Sequence, residues 1–165
     1  LLYTMLAEAA LQVEDPELVA RAADSAEAWG RRSGKLREMG IAAHARALTH
    51  LVRSDTTGAI RGLERAIWSP TLGFTLTNYR LAELDLAGGD GLRAANLLRP
   101  ALRGGLESTN LYVTHTDLHQ LLAEAYDHLG LKDSARVHWR WVAGALARAD
   151  SGAAQRREVA LARQR

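Results

Sequence analysis

The sequence predicts an all-α protein built from paired antiparallel helices. Apolar residues make up 47% of the 165-residue chain, and they recur with helical periodicity almost throughout. Aromatic residues make up only 5%, while alanine and leucine dominate, which favours close helix packing over β-sheet. Turn-forming residues interrupt the periodicity at regular intervals, so the chain divides into helices joined by short links.

These interruptions predict nine helices. We expect Asp15 to cap the second helix with Pro16 at its first position, and Thr114 or Thr116 to cap the seventh. Glycines at positions 30–34 and 40 are expected to interrupt the helical pattern. Short links make neighbouring helices antiparallel. The predicted helices span residues 2–13, 16–30, 36–53, 57–68, 73–87, 90–103, 109–129, 132–148 and 152–164.

The first eight helices pair into four hairpins, at residues 1–35, 36–70, 71–108 and 109–149, and residues 150–165 form a capping helix. In the last hairpin, Ala123 and Ala135 let the two backbones approach closely, and Tyr126 fills the gap beside the crossing. Gly130 supplies the left-handed conformation that ends the first helix, and Trp139 reaches toward the next helix. The last hairpin therefore has a defined crossing point.

The crossing points repeat along the chain. Ala47 and Ala82 are 35 residues apart, and Ala82 and Ala123 are 41 apart because a longer loop, residues 103–110, intervenes. A two-helix unit of about 34 residues is the signature of the tetratricopeptide repeat, which this chain resembles. The resemblance is best over Leu118–Ala143, partial in the second and third hairpins, and poor in the first.

The resemblance implies a right-handed α-solenoid whose first helices line a concave face that binds a peptide or helix. Some family members capture acidic C-termini with a clamp of Lys, Arg and Asn, but the corresponding positions here lack those residues. An acidic C-terminus is therefore not the expected ligand. The inward positions that we predict to bind a ligand are His44, Leu48, Tyr79, Glu83, Gln120, Glu124 and Asp127.

A looser resemblance covers residues 78–165 and begins at Tyr79-Arg80-Leu81-Ala82-Glu83-Leu84. It is to the C-terminal repeat region of large bacterial regulators that carry a kinase or transcriptional-regulator domain. It implies that the chain is a piece of a longer protein. With no signal segment and no apolar run of membrane-spanning length in this chain, we expect a cytoplasmic location and no membrane partner.

The sequence shows no constellation that predicts catalysis. His115 and His119 share a helical face, but the Glu of the zinc-peptidase motif is missing, so we expect no metal site. There is no cysteine, phosphate loop or nucleophile elbow. The chain is therefore predicted to be a non-enzymatic interaction module with a protein or peptide partner and no cofactor.

Nucleic-acid contact through arginine-rich segments is the alternative function. Basic residues gather at residues 31–37 and in the tail at 155–165, yet the net charge is only +2, which makes nucleic acid the less favoured partner. The tail is explained more simply as a polar terminal helix that covers the last hairpin. We expect its removal to destabilise that hairpin while leaving the binding face intact.

Overall fold

A computed structural model of the chain describes residues 2–66, 75–103, 113–147 and 151–164. All regular secondary structure in these ranges is helical, which confirms the all-α prediction. No helix in the same ranges has the length and the apolar character needed to cross a membrane. The helices are α1 (Leu2–Gln12), α2 (Pro16–Ser33), α3 (Leu36–Leu51), α4 (Thr56–Ala66), α5 (Thr75–Ala87), α6 (Gly91–Arg103), α7 (His115–His128), α8 (Lys132–Ala145) and α9 (Ala154–Arg163), the last preceded by a 3-10 turn at Ser151–Ala153.

Of the glycines at positions 30, 34 and 40, only Gly34 interrupts a helix as the sequence predicts. Helix α2 continues through Gly30 and ends at Ser33, and its C-cap Gly34 has the left-handed conformation with a φ of +63°. Gly40 lies inside α3, so the interruption predicted there is wrong. A side chain at Gly30 would place its Cβ 3.2 Å from the Glu38 carbonyl oxygen of α3. Gly30 therefore lets α2 and α3 pack closely.

The predicted caps at Asp15 and Thr114 are both present. The Asp15 carboxylate accepts a hydrogen bond from the Leu18 N–H at 2.9 Å. Thr114 and Asp117 form a reciprocal pair, since each side chain accepts a hydrogen bond from the backbone N–H of the other. This cap starts α7 at His115 instead of the predicted residue 109. The predicted helical residues 67–68, 73–74, 109–112 and 148 lie outside the described ranges, as does most of the predicted 103–110 loop.

Each helix packs against the next along the chain, and α1 also contacts α3 while α5 contacts α7. The apolar core follows this order, with clusters spanning α1–α3, α3–α5, α5–α7 and α7–α9. Leu97 packs against the second and third clusters, and Tyr126 packs against the third and fourth. These two side chains therefore link the last three clusters along the chain.

The last hairpin has the packing that its residues predict. Ala123 and Ala135 are buried together with the Trp139 ring, and Ala160 of α9 belongs to the same cluster. Gly130 lies in the α7–α8 link with the predicted left-handed conformation, at a φ of +71°. Helix α9 thus covers the end of the hairpin, with Ala160 as its buried contact.

Candidate binding site

Four of the seven predicted site residues line a single pocket. Tyr79 and Glu83 lie one turn apart on α5, and Gln120 and Glu124 lie one turn apart on α7. The pocket has a volume of about 320 Å³. We call it the acidic pocket, and its remaining lining residues are Asp117, Leu121 and Arg156.

Three helices that are distant in sequence build the acidic pocket. Its α7 residues occur at positions 117, 120, 121 and 124, a spacing that puts them on one helical face. Because α5 packs against α7, Tyr79 and Glu83 meet that face. Helix α9 contributes Arg156 through its contact with the last hairpin.

Hydrogen bonds fix the side chains along one wall of the pocket. Arg156 donates from Nε to the Gln120 Oε1 at 2.9 Å and from Nη2 to the Asp117 Oδ1 at 2.7 Å. The Gln120 Nε2 donates to the Glu124 Oε1 at 3.1 Å. Helix α9 thus supplies part of the pocket wall, and the effect of removing residues 152–165 on binding stays a prediction.

The acidic pocket carries an excess of negative charge. Its lining contains three carboxylates and one guanidinium, which leaves a net charge of −2. Glu83 accepts a hydrogen bond from the Arg80 Nη1 at 2.7 Å, so its charge is partly offset. Within the described residues, Glu124 bonds only to the neutral amide of Gln120. Glu124 is therefore the carboxylate best placed to receive a cation.

Tyr79 supplies a neutral donor and a ring surface. Burial raises the pKa of the Tyr79 phenol above its ordinary value, and the negative charges of Glu83 and Asp117 raise it further. The phenol therefore stays protonated. Together with Leu121, its ring offers apolar surface to an alkyl chain. The pocket can thus take a positively charged head on an aliphatic stem.

His44 and Leu48, also predicted to contact a ligand, lie in the core with no exposed surface. The His44 ring hydrogen-bonds through Nε2 to Glu8 Oε1 and through Nδ1 to Thr77 Oγ1, each at 2.9 Å. Leu48 packs in the apolar cluster of α1–α3. Their prediction as surface ligands is therefore wrong. The helical period places these α3 side chains on the inward face, but α1 and α5 pack on that face and bury them.

Glu8 is a fully buried carboxylate that joins three helices. It accepts hydrogen bonds from His44 of α3 and from the Arg80 Nη2 of α5, the latter at 2.6 Å. Burial raises the pKa of the Glu8 carboxyl, but the hydrogen bonds from His44 and Arg80 lower it by more, so the pKa lies below its ordinary value. Arg80 also bonds to Glu83, which ties this buried network to the acidic pocket.

Asp127, the last predicted site residue, does not line the acidic pocket. Its Oδ2 accepts hydrogen bonds from the Trp139 indole N–H at 2.8 Å and from the Arg163 Nη1 at 2.9 Å. The Arg163 guanidinium also lies 5.4 Å from the Trp139 ring centroid. Asp127 therefore anchors α8 and α9 to α7, and its role as a ligand contact stays a prediction.

His119 of α7 pairs with His138 of α8, a histidine that the sequence did not single out. The Nδ1 atoms of His119 and His138 lie 2.8 Å apart, and the His119 ring stacks on Trp141 with centroids 4.0 Å apart. The pair therefore joins α7 to α8. Across the described ranges, no three His, Asp or Glu side chains are grouped to hold a metal ion.

Sequence reasoning missed three residues of the acidic pocket. Asp117 and Leu121 share a helical face with Gln120 and Glu124, so the period alone was sufficient to find them. Arg156 carried no local signal, because only the packing of α9 on the last hairpin brings it to the pocket.

Comparison with protein-family models, with curated proteins and with solved structures found no match to this chain. The resemblance to the tetratricopeptide repeat therefore rests on residue spacing.

Proposed function

We propose that this chain is a protein-interaction module that binds a basic segment of a partner protein in the acidic pocket. The observation that carries the proposal is the convergence of Tyr79, Glu83, Gln120 and Glu124 on one negatively charged pocket. These residues come from two hairpins, and no catalytic chemistry is needed to explain their arrangement. A lysine or arginine side chain fits the net charge and the mixed lining.

In this proposal the cationic head binds the Glu124 carboxylate. The aliphatic stem packs against the Tyr79 ring and Leu121, while the charged head keeps its carboxylate partner and its contact with water. Arg156 holds Asp117 and Gln120 in place, so the pocket is ordered before the ligand arrives. Preorganisation of this kind reduces the entropy lost on binding.

The packing order supports a helical-repeat architecture for the module. Each helix contacts the next, and two pairs of first helices, α1 with α3 and α5 with α7, also touch. A stack of this kind suits the right-handed tetratricopeptide solenoid that the spacing predicts. In that architecture the acidic pocket lies on the concave face, and the chain serves as the regulatory region of a bacterial kinase or transcriptional regulator.

Nucleic-acid contact has less support, because arginines assigned to it are engaged within the chain. Arg156 and Arg163 pair with Asp117 and Asp127, and Arg31 lies 3.6 Å from Glu27. Their guanidinium charges are partly neutralised. A basic peptide is therefore the better-supported class of ligand.

Fluorescence polarisation with a labelled hexapeptide of alternating lysine and alanine tests the proposal. We expect saturable binding that Glu124→Gln weakens by roughly tenfold, because a charge-assisted hydrogen bond is replaced by a neutral one. Glu158→Gln is the matched control, since Glu158 is exposed on α9 outside the pocket. A second labelled hexapeptide, of alternating glutamate and alanine, should bind more weakly. Equal loss in both variants, or tighter binding of this acidic peptide, contradicts the proposal.

A further inference from the structure

A second cavity lies between α3 and α4, apart from the acidic pocket. It has a volume of about 390 Å³, and most of its lining comes from those two helices. The lining residues recur on each helix at positions i, i+3, i+4 and i+7, so two complete helical faces border the cavity. We call it the α3–α4 groove, and it is lined by Glu27, Ala43, Arg46, Ala47, His50, Gly58, Arg61, Gly62 and Arg65.

Small residues form the floor of the α3–α4 groove, and long charged side chains form its rim. Helix α4 lies so close to α3 that a Cβ at Gly62 would be 2.8 Å from the Ala47 Cβ. Ala43 adds a further small side chain on the α3 side. The space above this floor is therefore bordered mainly by arginines.

Two of the charged rim residues are already committed to partners in the fold. Arg46 donates to Glu27 and to Asp24, each at 2.6 Å, so its charge is matched by two carboxylates. His50 bonds to the Asp55 carboxylate at 2.8 Å. These pairs fix the α2 side and the α4 end of the groove.

Arg61 and Arg65 are the rim cations with unused donors. Within the described residues, neither arginine forms a hydrogen bond or an ion pair. Arg61 interacts with the Asp55 carboxylate only by longer-range charge attraction. They are one helical turn apart on α4, so both guanidinium groups can reach one ligand in the groove. Each guanidinium presents planar N–H donors that match the oxygens of a phosphate.

We propose that the α3–α4 groove binds a phosphate monoester through Arg61 and Arg65. A monoester carries close to two negative charges at neutral pH, which matches two free guanidinium groups. A phosphodiester carries one charge, and nucleic acids need phosphate contacts along an extended basic stripe. Here the carboxylates of Asp24, Glu27 and Asp55 interrupt any such stripe. A single phosphate on a small molecule or a side chain therefore fits better than a nucleic acid.

Isothermal titration calorimetry with O-phosphoserine as the probe tests this proposal. We expect binding by the unmodified chain and at least a tenfold loss in the double variant Arg61→Ala, Arg65→Ala, since each arginine removed takes away a charge-assisted contact. Arg140→Ala is the matched control, because Arg140 is exposed on α8, away from the groove. Serine should not bind. A parallel titration with inorganic phosphate shows whether the phosphate alone suffices.

Two further measurements separate a loss of phosphate binding from a loss of folding in the double variant. Both arginines are exposed, so circular dichroism and melting should be unchanged by their replacement. The double variant Arg61→Lys, Arg65→Lys keeps both charges and loses the planar fork, and we expect it to bind with intermediate affinity. Absence of phosphoserine binding, an equal loss in Arg140→Ala, or stronger binding of a single-stranded oligonucleotide than of phosphoserine overturns the proposal.

Discussion

The imidazoles of His119 on α7 and His138 on α8 share a hydrogen bond between their Nδ1 atoms, 2.8 Å apart. One ring must donate and the other must accept, so at least one must be neutral. His138 also stacks near Tyr126, with ring centroids 5.6 Å apart. This pair makes the contact between the last two hairpin helices sensitive to protonation.

We expect the unfolding free energy to fall as the pH decreases from about 6.5 toward 4. Burial, together with the charges of His138 and His115, lowers the pKa of His119 to about 4. Burial also lowers the pKa of His138. The unfolded chain therefore binds protons in this window before the folded chain does, so acid favours unfolding. Above the ordinary histidine pKa the stabilisation is complete.

Urea unfolding measured across this pH window checks the prediction. His119→Gln removes the titrating ring, so its stability should depend less steeply on pH than that of the unmodified chain. Exposed His128 provides the control, and His128→Gln should leave the slope unchanged. Parallel pH profiles for all three proteins contradict this account of the pair.

Replacement of Glu8 by alanine should destabilise the chain by about 3 kcal/mol or more, because it leaves Arg80 and His44 without their buried partner. Glu14→Ala, at an exposed position, should change stability by no more than about 0.5 kcal/mol. Denaturant titration of both variants measures the difference. Similar costs at the two positions mean that the buried network does not hold α1 to α5.

Two glycines in helices should respond oppositely to alanine. Gly62→Ala should destabilise the chain, because the new Cβ would lie 2.8 Å from the Ala47 Cβ across the α3–α4 crossing. Gly144→Ala should stabilise it by about 0.5–1 kcal/mol, since nothing lies within 4 Å of its added Cβ and alanine favours the helix. Thermal melts compare them. A stabilising Gly62→Ala contradicts the close crossing.

The helical content of the described residues followed from the sequence because it depends on local patterns. Asp15 and Thr114 capped helices as their types predict, and Gly130 adopted the left-handed turn. The same local patterns misplaced Gly40, because a glycine inside a helix can serve packing as well as interruption. Boundaries were therefore less predictable than the elements themselves.

The sequence predicted correctly only those pocket residues that lie one turn apart on the same helix. Pairs such as Gln120 and Glu124 follow from the helical period, and the structure brings them to one pocket. The burial of His44 depends on Glu8, which is 36 residues away in sequence. Local periodicity contains no information on such a partner. Polar residues of a buried network are therefore predicted from the sequence to lie on the surface.

The proposed function depends on the binding of a basic segment in the acidic pocket. Titration of the 15N-labelled chain with the lysine–alanine hexapeptide, followed by NMR chemical shifts, tests it most directly. We predict that the largest shifts fall at Tyr79, Glu83, Gln120 and Glu124, with a smaller set around Arg156, and that about tenfold more peptide is needed to produce them in Glu124→Gln. Shifts that centre on α2 and α4, or shifts that need no more peptide in Glu124→Gln, would contradict the proposal.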